Sequence, residues 1–383
     1  MISVLVPCYN EERFIAECLG SITAFIIPAG QAIEILVIDG GSSDRTRDIV
    51  AETAKADVRI RLIDNPERIQ SCALNRGIHS SRGEWIMRLD AHAQYPPDYL
   101  ALCYETALAT GADNVGGICL TRPGSASYAA QLVQALTTHR FGVGNSGFRT
   151  GSKAGFRDTV PFGFFRREIF ERIGYFDERL VRTQDYEFNC RIRQAGGKIY
   201  LNPAIVSTYF NLPTLTAFLE KQLFRQGPYN AYMWYLAPYA FVPRHAATAF
   251  FTLFFWTGLA GSLLSTAHLP CWGAVMATYA FLALLAAAQQ AAHYGFWRHL
   301  LCLPFGFFLF HLCHGTGVLS GLSRLAVHTA PVQKIREPWP GAKSCRTWPL
   351  APGSQCRQGS GRLGPEPPVC QLGSDRADDA ESS

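Results

Sequence analysis

The sequence predicts a doubly wound α/β domain followed by C-terminal transmembrane helices, and three observations carry that expectation. Short apolar runs alternate with helix-length amphipathic stretches up to about residue 210. The runs are continuously apolar, as strands buried on both faces of a mainly parallel sheet should be. From about residue 246 the chain changes to long stretches without charge.

Taken in order, ISVLVP (2–7) reads as the first strand. EERFIAECLGSITAF (11–25) reads as a helix with apolar positions at 14, 15, 18, 19, 22 and 25. EILVID (34–39) is the second strand, and SSD (42–44) supplies a cap for the helix after it. RIRLID (59–64), a helix near 69–81, EWIMRLD (84–90), a helix near 98–110 and NVGGICL (114–120) continue the alternation. The segment after the first strand is PCYNEE and not GxGxxG, which excludes the dinucleotide fingerprint.

AATAFFTLFFWTGLAGSLLSTA (246–267) and CWGAVMATYAFLALLAAAQQAA (271–292) carry no charge. Each can cross a hydrocarbon layer of about 30 Å at about 1.5 Å per residue. A third stretch, LLCLPFGFFLFHLCHGTGVLSGL (300–322), also lacks charge but contains Pro304, His311, His314 and several glycines. Buried core helices are the alternative reading of all three. Arg244 and Arg298 favour the cytosolic side, and Arg324, Lys334 and Arg336 ask for the same side. A re-entrant or interfacial third helix would satisfy all of them. The expected organisation is a catalytic domain over 1–230, an interfacial linker over 231–245, a membrane region of two to three helices over 246–325, and a tail over 326–383. Residues 340–383 are rich in Gly, Pro, Ser and Arg without periodicity, the composition of a disordered segment.

Among 383 residues the net charge is only +5 and is not gathered into one basic run, which argues against nucleic acid as a partner. The 12 cysteines include no CxxC pair, so zinc ribbons and redox dithiols are not expected and the thiols read as small buried apolar groups. Glu11, Glu12 and Glu17 interrupt the first twenty residues, so no signal peptide is expected there and the N-terminal part is placed in the reducing cytosol.

In doubly wound sheets the ligand crevice lies beyond the carboxyl ends of the strands. Three predicted strands end there in polar residues: Pro7 to Glu11, Asp39, and Asp90 with His92. Acids at strand ends often only cap the next helix, which accounts for Asp44. The other reading is convergence on one crevice, where Asp90 and His92 hold Mn²⁺ or Mg²⁺ whose shell is completed by diphosphate oxygens and water. Further on, Phe188, Ile192 and Ala195 form one face of a helix that Asp185 opens. Asp185 there is either a dipole partner or a group aimed into the cleft.

PCYNEE, VIDGGSSDRT, ALNRG and RLDAH, in this order and spacing, resemble the family 2 glycosyltransferases with a GT-A fold, over roughly residues 1–230. DNVGG, FGVGNSGFRTG, DTVPFGFFRREIFERIGYFDE and RTQDYEFNCRIRQAGGK are similar to the branch that builds bacterial exopolysaccharides such as succinoglycan. In that branch a C-terminal membrane region follows the catalytic domain. The resemblance implies that Pro7, Tyr9, Asn10 and Glu11 line a nucleotide pocket, that Asp39 contacts the base, and that Asn75 and Gly77 lie against the nucleotide. It implies a metal at Asp90, with His92 where the usual second acid stands. It implies Asp185 as catalytic base, with Gln184 replacing the preceding acid, and Arg191 as the matching arginine of that helix. QLFRQG (222–227) resembles the QxxRW segment of polymerising relatives, with Arg225 able to reach a diphosphate and Gln226 in place of Trp.

The implied activity is inverting transfer from a nucleotide-diphosphate sugar, a UDP-sugar foremost, to a hydroxyl of a polyprenyl-diphosphate-linked saccharide. The implied location is the inner membrane of the cell, with the catalytic domain in the cytoplasm. Two alternatives stand beside it. One is a transferase acting on a single polyprenyl phosphate. The other is a membrane scaffold for polysaccharide export with a degenerate nucleotide domain, which the departures at His92 and Gln184 motivate.

Overall fold

Alternate residues of the first strand feed two separate cores, which is why the strand is apolar apart from the buried Ser3. Ile2, Val4 and Val6 pack with Ile15, Leu19, Ile22 and Leu100 on one face of the sheet. Leu5 packs with Leu36, Ile38, Leu74, Ile78, Phe188 and Ile192 on the other. The computed structural model describes residues 1–144, 146–151 and 153–333. Of the tail expected over 326–383, residues 334–383, with Lys334 and Arg336, lie outside the described residues, while Ala330 and Val332 pack against Tyr232.

The strands are β1 (Ile2–Cys8), β2 (Ile33–Asp39), β3 (Ile60–Asp64), β4 (Trp85–Arg88), β5 (Ala93–Gln94), β6 (Asn114–Arg122), β7 (Gly155–Phe156), β8 (Phe164–Arg166) and β9 (Ile199–Phe210). They form one sheet in the order β3-β2-β1-β4-β8-β6-β9-β5, with β7 also on β9. β1 runs parallel to β2 and β4, β2 to β3, and β6 to β9. β8 lies antiparallel between β4 and β6. This mixed, mostly parallel sheet with helices on both faces is the predicted α/β architecture.

The helices of the sheet-containing part are α1 (Ile15–Thr23), α2 (Thr46–Ala56), α3 (Gln70–Ser80), α4 (Tyr99–Thr110), α5 (Tyr128–Thr137), α6 (Arg140–Val143), α7 (Gly147–Thr150), α8 (Glu168–Ile173) and α9 (Gln184–Gln194). The five strands expected from sequence up to residue 120 are present within a residue or two. The long β9 was not expected, because Asn202-Pro203 interrupts its apolar pattern. The sheet absorbs the interruption as a register shift opposite Gly116 and Ile118. The shift depends on Gly117, where a Cβ would collide with the carbonyl oxygen of Ile205.

Beyond the sheet come α10 (Leu215–Lys221), a π-helical turn (Gln222–Gln226), α11 (Gly227–Leu236), α12 (Pro243–Leu264), α13 (Leu269–Tyr294) and α14 (Arg298–Ala326). The stretch expected as a linker over 231–245 is therefore partly helix, and α11 packs along α14. Three helices are long and apolar enough to cross a membrane: Pro243–Leu264, Thr266–Tyr294 and Arg298–Ala326. The third is one continuous helix and contains no re-entrant loop. Pro304 sits in its second turn, and Leu303, Phe307 and Phe310 join Leu132 and Leu136 of α5 and Phe218 of α10.

Small residues let α14 approach its neighbours. A Cβ at Gly315 would run into the carbonyl oxygen of Thr248 and the hydroxyl of Thr252 on α12, and one at Gly321 would lie 2.8 Å from the carbonyl oxygen of Pro228 on α11. Gly315→Leu is expected to cost about 2 kcal/mol or more by overpacking, read as an earlier melting transition in detergent. An unchanged transition would mean that α12 and α14 are not tightly docked.

Candidate active site

β1, β4 and α9 each deliver an acid to one cavity of about 840 Å³ that opens beyond the carboxyl end of β4. From β1 comes Glu11, after a left-handed residue at Asn10 (φ 55°) turns the chain outward. The backbone N–H of Glu11 donates to Thr46 Oγ1 at 2.8 Å, which ties this turn to the start of α2. From β4 comes Asp90, whose backbone N–H donates to the Tyr95 hydroxyl at 2.9 Å. From α9 comes Asp185 in the first turn, behind Thr183 in a left-handed conformation (φ 64°).

Arg88 joins two of these acids. Its Nη2 donates to Asp90 Oδ1 at 2.7 Å and its Nη1 lies 3.8 Å from Asp185 Oδ2. Burial opposes the guanidinium charge, but Asp90 and Asp185 outweigh it and raise the Arg88 pKa. On the other side of Asp90, Gln70 Nε2 donates to the same oxygen at 3.3 Å, and Gln184 Nε2 donates to Gln70 Oε1 at 2.7 Å. Because Gln184 precedes Asp185, the contacts close a ring: Asp185, Arg88, Asp90, Gln70, Gln184. The glutamine that departs from the family pattern is thus a buried amide that orients the ring.

His92 lies in the same cavity, with its Nδ1 3.0 Å from Glu11 Oε1 and its ring edge-on to Tyr209 at 5.2 Å. Burial lowers its pKa, and the larger pull of Glu11 and Asp90 raises it above the ordinary value. Glu11 is placed to accept the Nδ1–H of a neutral imidazole, which leaves Nε2 as the ring nitrogen that would face a cation. Asp90 suits a cation as well, since its Oδ2 accepts no hydrogen bond from a described residue. Among the described residues no three His, Cys, Asp or Glu side chains cluster as a complete metal site. A cation at Asp90 would need substrate oxygens and water, the usual habit of Mg²⁺ at phosphate sites.

The remaining expected residues divide into two groups. Tyr9, Asn10 and Asp39 meet at the ends of β1 and β2 and do not line the cavity, which takes only Glu11 from this turn. Asn10 N–H donates to Ser42 Oγ at 2.8 Å, and Ser42 in turn hydrogen-bonds Asp39. The guanidinium of Arg68 lies 5.7 Å over the Tyr9 ring, and Pro7 pairs with Ile38 inside the sheet. Asp39 is fully buried. Burial disfavours its charge, yet Ser42 and Arg47 hold its carboxyl below the usual range.

The structure does not bring the others to the cavity either. Asn75 Nδ2 donates to the carbonyl oxygen of Phe176 at 3.0 Å and to Glu178 Oε1 at 2.8 Å, so it fastens α3 to the chain before α9. At Gly77 a Cβ would stand 3.0 Å from Ile38 and 3.1 Å from Leu5, and the glycine serves close packing of α3 on the sheet. Arg191 is occupied by Glu187 at 2.6 Å and by the carbonyl oxygens of Ile173 and Tyr175. Arg225 is exposed in the π turn, while its neighbours Gln222 and Gln226 line the cavity.

Sequence reasoning missed Gln70 and Arg88. An arginine inside the apolar run WIMRL was the available sign, since a charge there must find a partner. It also missed Arg149, Arg182 and Lys221, which line the cavity from three distant segments. Burial, together with the charges of Arg182 and Arg149, pushes the Lys221 ammonium down to about 8.

Residues 3–174 match the family described as Glycosyl transferase family 2. The succinoglycan biosynthesis protein ExoA of Rhizobium meliloti is 31% identical over 209 residues, 54% of this chain and 62% of that protein. The chain thus spans less than two thirds of that relative. A dolichyl N-acetyl-alpha-D-glucosaminyl phosphate 3-beta-D-2,3-diacetamido-2,3-dideoxy-beta-D-glucuronosyltransferase of Methanococcus voltae is 30% identical over 258 residues, 63% of this chain and 78% of that protein. Among solved structures, a mannosyltransferase of Pyrobaculum calidifontis in complex with GDP-Man and Mn²⁺ shares the fold at a TM-score of 0.52, with 21% identity over 83% of this chain and 87% of that one. With the sheet order, the convergent acids and these matches together, the chain belongs to glycosyl transferase family 2.

Proposed function

We propose that the protein is an inverting glycosyltransferase that moves a sugar from a nucleotide-diphosphate sugar to a hydroxyl of a lipid-linked saccharide. The observation that carries the reading is the pair Asp90 and Asp185 facing one cavity and sharing Arg88. Asp185 accepts the proton of the acceptor hydroxyl as that oxygen bonds to the anomeric carbon, and the bond from that carbon to the diphosphate breaks on the opposite face. A carboxylate of ordinary basicity suffices, because the hydroxyl acidifies as its bond to carbon forms. Asp90 would hold a divalent cation, Mn²⁺ or Mg²⁺, which offsets charge on the departing diphosphate.

The ledge of Tyr9, Asn10 and Arg68 over the buried Asp39 suits the nucleoside, with UDP-sugars as first candidates. The lipid-linked acceptor is supported by the three apolar helices and by the dolichyl phosphate named in the Methanococcus relative. A single polyprenyl phosphate is a second reading, supported by an undecaprenyl-phosphate transferase of Pseudomonas aeruginosa that is 34% identical over 147 residues. Placement in a cell membrane with the cavity on the cytoplasmic side and a role in surface polysaccharide synthesis complete the proposal.

The test is transfer of radiolabel from UDP-, GDP- and dTDP-sugars into a lipid extract by the detergent-solubilised chain. One donor is expected to label the lipid fraction, and EDTA is expected to suppress the labelling. Absence of transfer with every donor would favour the export scaffold.

A further inference from the structure

The cavity has an unexplained excess of positive charge. Six Lys or Arg side chains line it against three carboxylates. Arg88 is matched by Asp90 and Asp185, and Arg244 is matched by Asp158 outside the cavity. Among the described residues, Arg149, Arg182 and Lys221 form no ion pair. The Arg149 guanidinium rests over Tyr209 at 5.7 Å and over Phe148 at 5.5 Å, which holds it in place without neutralising it. Half-buried cations that repel one another are costly unless an anion joins them.

Their position says which anion. Lys221 ends α10, and the π turn follows it directly, a local distortion that recurs at functional sites. Next to Lys221 in the cavity wall are Phe218 and Gln222. Beyond them the wall is made by Thr248 of α12 with Phe310 and His314 of α14, two of the membrane-length helices. The cluster shares this one cavity with Asp90, whose charge acts on Lys221, and the same cavity wall continues to the apolar helices.

Resting on the proposed transfer to a lipid-linked acceptor, we infer that Arg149, Arg182 and Lys221 form a second anion site that holds the phosphate or diphosphate of that acceptor. The headgroup is gripped by charge while the hydrocarbon chain runs along α12 and α14. A fixed headgroup orients the acceptor hydroxyl toward Asp185 and removes translational freedom before reaction. The guanidinium fork suits phosphate oxygens geometrically, and the ammonium adds a point charge.

The test is binding of farnesyl diphosphate to the full chain in detergent with EDTA, with farnesol as the uncharged control. Farnesyl diphosphate is expected to bind at least tenfold more tightly than farnesol, and excess inorganic pyrophosphate is expected to compete with it. R182Q/K221Q is expected to weaken farnesyl diphosphate at least tenfold while leaving farnesol binding and the melting transition unchanged. If that variant does not fold, Arg149→Gln on the short α7 serves instead, with the same expectation. In a separate arm without EDTA, saturating UDP or GDP with Mn²⁺ should leave farnesyl diphosphate bound. Displacement by nucleotide would assign the cluster to the donor and overturn the inference. Equal binding of farnesol and farnesyl diphosphate, failure of pyrophosphate to compete, or native affinity in the variants would overturn it as well. Because these are binding measurements, a protein that transfers no sugar would sink the proposed function and leave this result readable.

Discussion

Asp185→Asn is expected to lower sugar transfer by about 10²- to 10⁴-fold, the range that a positioned general base supplies. Asparagine keeps the size of the side chain and removes only its basicity. The fold should not suffer, because the Asp185 side chain is 45% exposed and its 3.8 Å approach to Arg88 is a loose contact at the cavity surface. Exposed pairs of that kind contribute roughly 0–1 kcal/mol. Nucleotide affinity, measured by calorimetry on the detergent-solubilised variant, should equal that of the native chain. Transfer at the native rate would remove Asp185 as the base. A loss of nucleotide affinity parallel to the loss of rate would make it a binding group instead.

Arg88→Met is expected to damage both rate and stability. The guanidinium is buried, bonds Asp90 at 2.7 Å and sits 5.9 Å from the ring of Phe162. Its removal leaves the mostly buried Asp90 without its cation, which costs about 3 kcal/mol where one member of a buried pair is lost, while the exposed Asp185 adds little. The rate should fall by about 10²-fold, since a displacement of roughly 1 Å at reacting groups has that effect. Arg88→Lys restores the charge but cannot reach both acids with one planar fork, so it should recover stability more than rate. Kinetics and thermal unfolding of the two variants side by side separate these contributions. Native turnover in the methionine variant would show that the acids hold their places unaided.

The sheet was legible in the sequence where strands are buried on both faces, as β1 and β2 are, because such strands leave mostly apolar runs, broken here only by Ser3 and Glu34 before the polar ends. β9 was hidden by Asn202 and Pro203, whose bulge is tolerated only because Gly117 on the neighbouring strand leaves room for it. The acids of the site were legible as strand and helix ends. What those acids touch was not. Asn75 and Arg191 read the same in sequence whether a polar side chain meets a ligand or cross-links the fold, and the structure shows cross-links in both. Lys221 could not be linked to Arg149 or Arg182 from spacing, since only tertiary folding makes them neighbours. The shape of the third apolar segment was also beyond reach: basic residues report sidedness, and they do not report that α14 runs unbroken against α5 and α11.

That last arrangement bears on how the protein can be handled. The flank formed by Leu132, Leu136 and Phe218 is covered by Phe307 and its neighbours on α14. A shortened chain ending before Pro243 would carry this flank bare, as an oily patch of the kind that makes polypeptides stick to one another. Clipping off the three long apolar helices would therefore yield an aggregating fragment, and a soluble form of the sheet-containing part would have to be made by redesigning that flank.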